Sequence, residues 1–230
     1  GSLHTDELMS AVVSRASGLR TARRLSHVFR MAVETYAKPL LITDAAINIH
    51  PDLEAKVDIV QNAIDLAHVL GIAEPRVAIL SAVETVNPKI QSTIDAAALC
   101  KMADRRQITG GVLDGPLAFD NAISADAART KGIKSPVSGI ADILVVPDLE
   151  SGNMLAKQLE YLASAVPAGI VLGAKVPIIL TSRADNAESR MASCVIAVLM
   201  ANANRQKQTP FCLGKIPRLS FRPSLKLRQK

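Results

Sequence analysis

Residues 108–153 constrain this chain more than any other stretch, because turn-forming and polar residues there stand directly against apolar runs. Asp114-Gly115-Pro116 reads as a sharp turn, Asp120-Asn121 as the start of a short helix, and Ser135-Pro136 with Ser138-Gly139 as a long loop. Ile143-Leu144-Val145-Val146 reads as a buried strand that ends at Pro147-Asp148, and a helix is expected to start near Ser151-Gly152-Asn153. Strand, polar loop and helix N-terminus in succession form the carboxyl edge of an open α/β sheet, where anions and cofactors collect.

The flanking sequence repeats this grammar. A helix is expected over 5–16, with Thr5 as its N-cap, followed by a basic loop, Arg20-Thr21-Ala22-Arg23-Arg24. Strands are expected at 27–33 and 39–43. Leu53, Val57, Val60, Ile64, Ala67 and Leu70 recur at helical spacing and predict a helix over 53–70. A strand at 76–81 follows, then a helix through about Ala103 whose capping box is Ser92-Thr93-Ile94-Asp95. Residues 154–166 predict a helix with Leu155, Leu159 and Leu162 on one face, 168–173 and 176–180 predict strands, and an apolar helix is expected to open at Thr181–Asp185 and run to about Ala203. Alternating strands and helices imply crossovers and mainly parallel sheets with helices on both faces. Apolar residues make up 49% of the chain and aromatics only 3%, which suits such sheets, where β-branched residues fill the interior.

The net charge of +6 resides in the tail. Residues 204–230 hold eight Lys/Arg and no carboxylate, which leaves 19 basic against 21 acidic residues, a net of −2, in 1–203. Prolines and a glycine interrupt that tail, so a poorly ordered extension is expected. A nucleic-acid arm would rest on the tail alone, and nucleic acid is not expected as a partner. No apolar run approaches the ~20 residues that cross a bilayer, and no secretory pattern stands at the start. Three cysteines lack metal-ligand spacing, so no metal and a reduced, cytoplasmic setting are expected. No Gly-x-Gly-x-x-Gly or phosphate-loop motif is present.

Several loops carry a resemblance in a fixed order: LHTDEL, ITDAAINI, ILSAVETVNP, LDGPLAFD, SPVSGIADILVVPDLESGN and LTSR. Over about Leu3–Ala203 the chain resembles the phosphate acetyltransferase and phosphate butyryltransferase family, which moves a short acyl group between coenzyme A and phosphate. The resemblance implies two α/β domains like those of isocitrate and isopropylmalate dehydrogenases. Residues 1–30 and 176–203 would form part of the first domain and 31–175 the second. Family members carry a further N-terminal α/β portion, so the chain is expected to be a fragment. Acyl-coenzyme A, phosphate and acyl phosphate are the implied partners, with coenzyme A as substrate and no tightly bound cofactor. A homodimer through the second domain is expected, with the helix at 53–70 or 151–166 supplying the apolar patch. The other reading is a catalytically impaired remnant of the fold that binds coenzyme A weakly or serves only in oligomer assembly.

The reaction needs charge stabilisation more than covalent machinery, and Arg supplies a planar, permanently charged fork for phosphate. The resemblance makes Ser182-Arg183 the catalytic pair, although Ser182-x-x-Asp185 is also an ordinary capping pattern. The acetyltransferases' base, an Asp seven residues after that Ser, is replaced here by Ser189, so Asp185 or Glu188 takes the role. Lys157 matches a lysine associated with coenzyme A binding. Their Arg in the helix after His-Thr is absent here, and Arg24, with Arg20 and Arg23, stands in by proximity. Asn153, Asp114 and Asp120 lie at expected strand ends and are held as cleft residues, although Asp and Asn also serve turns.

Overall fold

The structure is a computed structural model and describes residues 5–208. Most of the expected basic tail lies outside that range. The first helix, α1 (Thr5–Val13), includes Thr5, the residue expected to cap it. A short 3₁₀ turn follows at Arg15–Ser17. The remaining elements are β1 (Ser26–Ala32), β2 (Leu40–Thr43), α2 (Leu53–Val69), β3 (Arg76–Leu80), α3 (Gln91–Asp104), β4 (Val112–Leu117), α4 (Phe119–Ile123), α5 (Ala125–Thr130), β5 (Ile143–Val145), α6 (Leu149–Leu162), β6 (Val166–Leu172), β7 (Ile178–Ile179) and α7 (Ala187–Gln208).

All seven strands join one sheet in the order β4-β3-β5-β2-β1-β6-β7. The expectation of mainly parallel pairing is corrected. β2·β5, β3·β4 and β3·β5 are parallel, whereas β1·β2, β1·β6 and β6·β7 are antiparallel. Links as short as 33–39 and 173–177 leave no room for a crossover and force hairpins. Strands β2 to β6 nevertheless all point the same way, so their carboxyl ends share one edge.

Alternate side chains feed two cores. Val28, Leu41, Val77, Ile79, Ile143, Val145 and Ile170 pack under α2, α3 and α7. Met31, Leu40, Ile42, Ala78, Leu80 and Leu144 pack on the other face with Ala122 of α4 and the partly buried Leu155 and Leu159 of α6. Helices therefore cover both faces, as expected. β1 is interior and well buried, while β7 is a two-residue edge strand with Ile179, and Val176 just before it, exposed.

Local signals held where nothing distant competed. The helix expected over 53–70 forms as α2, with Asp52 capping it by accepting the Ala55 amide. Elsewhere tertiary contacts prevailed. The Ser92–Asp95 capping box is absent: α3 starts at Gln91 with no side-chain cap, and the Asp95 carboxylate binds Lys56 and Gln91. Asp114-Gly115-Pro116 is not a turn but part of β4, where a proline is tolerated because β4 is the sheet's edge. α6 starts earlier than expected, at a capping box between Asp148 and Ser151, and ends at Leu162, which is 84% exposed rather than part of the core face. α7 starts at Ala187, later than Thr181–Asp185, with the Asn186 side chain accepting the Ser189 amide, and continues to Gln208 into the region expected to lack order. Among the described residues no helix is long and apolar enough to cross a membrane, and no cluster of His, Cys, Asp and Glu could hold a metal.

His27, 1% exposed on β1, gives the fold a pH dependence. Its Nδ1 has no partner, and Gly169 supplies the space for the ring: a Cβ there would lie 2.8 Å from His27 Nε2 and 2.6 Å from the Leu180 carbonyl. Burial pushes the imidazole below its ordinary 6.5, only partly offset by the nearby Asp44 carboxylate and a hydrogen bond to the Leu180 carbonyl. The unfolded chain therefore binds the proton more readily than the folded one. Stability from the neutral ring is complete above pH 6.5 and is lost as pH falls below it, at up to about 1.4 kcal/mol per pH unit. Urea unfolding at pH 7.5 and 5.5 should show a smaller acid loss in His27→Gln than in the parent; equal losses would refute the assignment.

Candidate functional site

The carboxyl edge is built around the loop that leaves β2. Asp44, nearly buried, folds this loop about itself: Oδ1 accepts the amides of Ala46 (3.0 Å) and Ile47 (3.1 Å), and Oδ2 accepts the amide (3.3 Å) and Nδ2 (2.6 Å) of Asn48. Asn48, itself buried, is thereby fixed in place. Its Nδ2 also donates to the Leu25 carbonyl (2.8 Å), and its Oδ1 accepts from Arg24 Nη1 (3.4 Å). The Arg24 amide donates to Asp58 of α2 (2.8 Å). From the other side, Asn153 Nδ2 donates to the Ala45 carbonyl (3.3 Å). The structure thus brings Arg24 and Asn153 to one loop.

That loop borders a cleft of about 560 Å³ lined by Arg20, Arg24, Asn48, Asp58 and Gly173 among others. A neighbouring cavity of about 270 Å³ shares Arg23 and Gly173 with it. Arg23 is neutralised by Asp65 (2.5 Å) and also reaches Asn62 (3.3 Å). Gly173, at φ +90°, lets the strand end approach Arg24 closely: a Cβ would lie 2.3 Å from the Arg24 carbonyl. Asn48, Asp58, Thr21 and Gly173 were not singled out from the sequence. Asn48 was within reach, since it stands inside ITDAAINI; Asp58 and Gly173 come from distant elements and carry no local signal.

The remaining sequence-expected residues lie elsewhere. Asp114 sits within β4, its Oδ1 accepting the Gly115 amide (2.9 Å). After burial itself, it is the next cause that pushes the Cys100 thiol to about 12, so that sulfur is no nucleophile. Asp120 pairs with Lys131 (3.1 Å), which also binds Glu84 (2.7 Å); this lysine holds both carboxyls below their ordinary range. Lys157 lies two turns into α6 rather than one, tied to Glu160 (2.7 Å), with its ammonium 5.6 Å from the Tyr161 ring centre.

Ser182, Arg183, Asp185 and Glu188 form their own group. The Ser182 amide donates to Asp185 Oδ2 (2.8 Å), and Ser182 Oγ accepts the Ala184 amide (3.3 Å). This closes a turn ahead of α7 instead of capping the helix. The preceding strand, β7, is an exposed edge rather than a buried one. The Arg190 guanidinium donates to the Arg183 carbonyl (3.4 Å), and Glu188 is exposed in the first turn of α7. β7 runs antiparallel to β6 with Val171 opposite Ile178 and Ile170 opposite Ile179. The chain therefore heads from β7 toward the end of the sheet where β6 begins, away from Arg24. Among the described residues no hydrogen bond or ion pair joins the two groups.

Comparison with known proteins places these loops in context. Residues 2–198 match the family described as Phosphate acetyl/butaryl transferase. The chain is 69% identical over 208 residues to a phosphate acetyltransferase of Rhizobium meliloti, covering 90% of this chain and 66% of that protein. It is 45% identical over 201 residues to a phosphate butyryltransferase of Clostridium acetobutylicum, covering 87% of this chain and 67% of that one. The crystal structure of a branched-chain phosphotransacylase from Enterococcus faecalis V583 superposes with a TM-score of 0.80 at 36% identity, covering 87% of this chain and 72% of that one. The chain spans 66% of the Rhizobium enzyme and 59% of the phosphate acetyltransferase of Rickettsia prowazekii, less than two thirds of either.

Proposed function

This chain belongs to the phosphate acetyl/butyryl transferase family, and on that premise we propose that it acts as a phosphate acyltransferase, exchanging an acetyl group between coenzyme A and phosphate. One observation carries the proposal: 69% identity over 90% of the chain to a phosphate acetyltransferase. The 45% identity to a butyryltransferase supports acetyl over butyryl.

In this reading the thiolate of coenzyme A attacks the carbonyl of the acyl phosphate, the C–O bond to phosphate breaks and phosphate leaves; the reverse direction runs through the same tetrahedral species. Arg183 faces the developing negative charge, and Ser182 donates its hydroxyl to it. Asp185 spends one oxygen holding the Ser182 turn, so Glu188 is the freer base for the thiol. Lys157 attracts the coenzyme, and the Arg24–Asn48–Asn153 edge holds its polar parts. Substrates are released at each turnover, and no tightly bound cofactor takes part. The proposal includes the division into a partial first domain, 1–30 and 176–203, and a second domain, 31–175, and a cytoplasmic setting.

The test is release of free thiol from acetyl-coenzyme A and from butyryl-coenzyme A in the presence and absence of phosphate. Phosphate-dependent release, faster with the acetyl thioester, is expected. Its absence with both substrates would end the acyltransferase reading for this chain.

The same reading includes a homodimer. α6 supports it better than α2, because α6 exposes Met154 (59%), Tyr161 (67%) and Leu162 (84%), whereas α2 turns its apolar residues inward. Light scattering over a dilution series should give a mass twice the 24.4 kDa of the chain, reduced by Leu162→Lys. A monomer at all concentrations would refute it.

A further inference from the structure

Beside the large cleft, two segments from opposite ends of the sequence are laced together. Arg20 and Ala174 form an antiparallel bridge, the Lys175 amide donates to the Leu19 carbonyl (2.9 Å), and Thr21 Oγ1 donates to the Gly173 carbonyl (2.5 Å). These three ties hold Arg20 and Lys175 on the rim of one notch of about 380 Å³ lined by Gly18, Arg20, Thr21 and Lys175. Arg20 and Thr21 also line the 560 Å³ cleft, so the notch adjoins it.

The notch carries uncompensated positive charge, as does the adjoining cleft, where the Arg24 guanidinium is bound to the neutral Asn48 side chain. Arg23 is matched by Asp65, and Lys56, Lys38 and Lys131 each have a carboxylate. Arg20 and Lys175 have no ion-pair partner among the described residues, although residues 1–203 carry net negative charge. Two unmatched, exposed cations on a fixed backbone attract a compact dianion. Arginine supplies a two-point fork and lysine a point charge.

We propose that the Arg20–Lys175 notch is a binding site for a phosphate dianion, either free inorganic phosphate or the terminal phosphomonoester of a nucleotide such as that of coenzyme A. The choice of these two sources rests on the acyltransferase reading. The notch itself rests on the geometry and charge. Lys175 is drawn in from beyond β6 and belongs to none of the residues to which the sequence assigned a role.

The test is calorimetric binding to the whole chain of inorganic phosphate, coenzyme A and 3′-dephospho-coenzyme A, with no acyl group present. Lys175→Gln and Arg20→Gln should each weaken binding about three- to ten-fold, as expected for one exposed charge-assisted contact. Lys175→Arg should restore it. Lys89→Gln, an exposed charge removed elsewhere, should change nothing beyond the general effect of ionic strength. Loss for coenzyme A but not for its dephospho form identifies the phosphomonoester, and loss for inorganic phosphate identifies the free anion. Affinities for all three ligands unchanged in both variants, or equally reduced in Lys89→Gln, would overturn the proposal. Because binding is read without turnover, a chain that fails to transfer acyl groups can still show the notch, and an active chain can still lack it.

Discussion

Asp95→Ala is expected to destabilise the fold by about 3–5 kcal/mol, the cost of leaving one member of a buried ion pair without its partner. Lys56, near the start of α2, and Asp95, in the second turn of α3, are each 5% exposed and meet at 2.6 Å. Gln91 donates to the second carboxylate oxygen at 2.8 Å, so the carboxylate is satisfied on both sides. Removing it strands an ammonium with no water to solvate it. The attraction itself is offset by the desolvation of both charges, so the double variant Lys56→Met/Asp95→Leu should lie much nearer to the parent than the single one. Urea midpoints at constant m-value give the comparison. A single-variant loss below about 1 kcal/mol would mean that water reaches the pair.

Arg183→Ala is expected to lower kcat for phosphate-dependent thiol release by roughly 100-fold or more, with a smaller change in KM. That is the pattern for a contact made mainly as charge develops on the reacting oxygens, where one lost donor costs about 3 kcal/mol. Arg190 is the control. It lies seven residues on and touches the same turn only by donating to the Arg183 carbonyl. Arg190→Ala should therefore change kcat by only a few-fold. A loss of the same size in both variants would show that the turn's shape, rather than the Arg183 charge, is what matters. An unchanged rate in Arg183→Ala would remove this residue from the catalytic pair.

The candidate site was partly legible. The loop sequences named the family and marked Arg24 and Asn153, which the fold brings to one loop. Asn48, the residue that links that loop to Arg24, escaped because its own role is set by Asp44 four residues earlier and by the return of Arg24 from across the sheet. Lys175 escaped for the same kind of reason: its neighbour in space, Arg20, is far away in sequence.

By itself the sequence determined most helices and strands, though not β4, because burial on one face imposes a period that a short window reveals. Leu53 to Leu70 and Ile143 to Val146 are the clearest cases. Short links likewise imply that β1 and β2 pair, although not what flanks them. Only the tertiary structure decided that β6 inserts beside β1, that β4 runs through Gly115-Pro116 at an edge, and that Asp95 serves Lys56 instead of capping α3. Each of these is a competition between a local partner and a distant one. The distant partner prevails when it removes a buried charge or an open backbone from water's absence, and a local window contains no record of it.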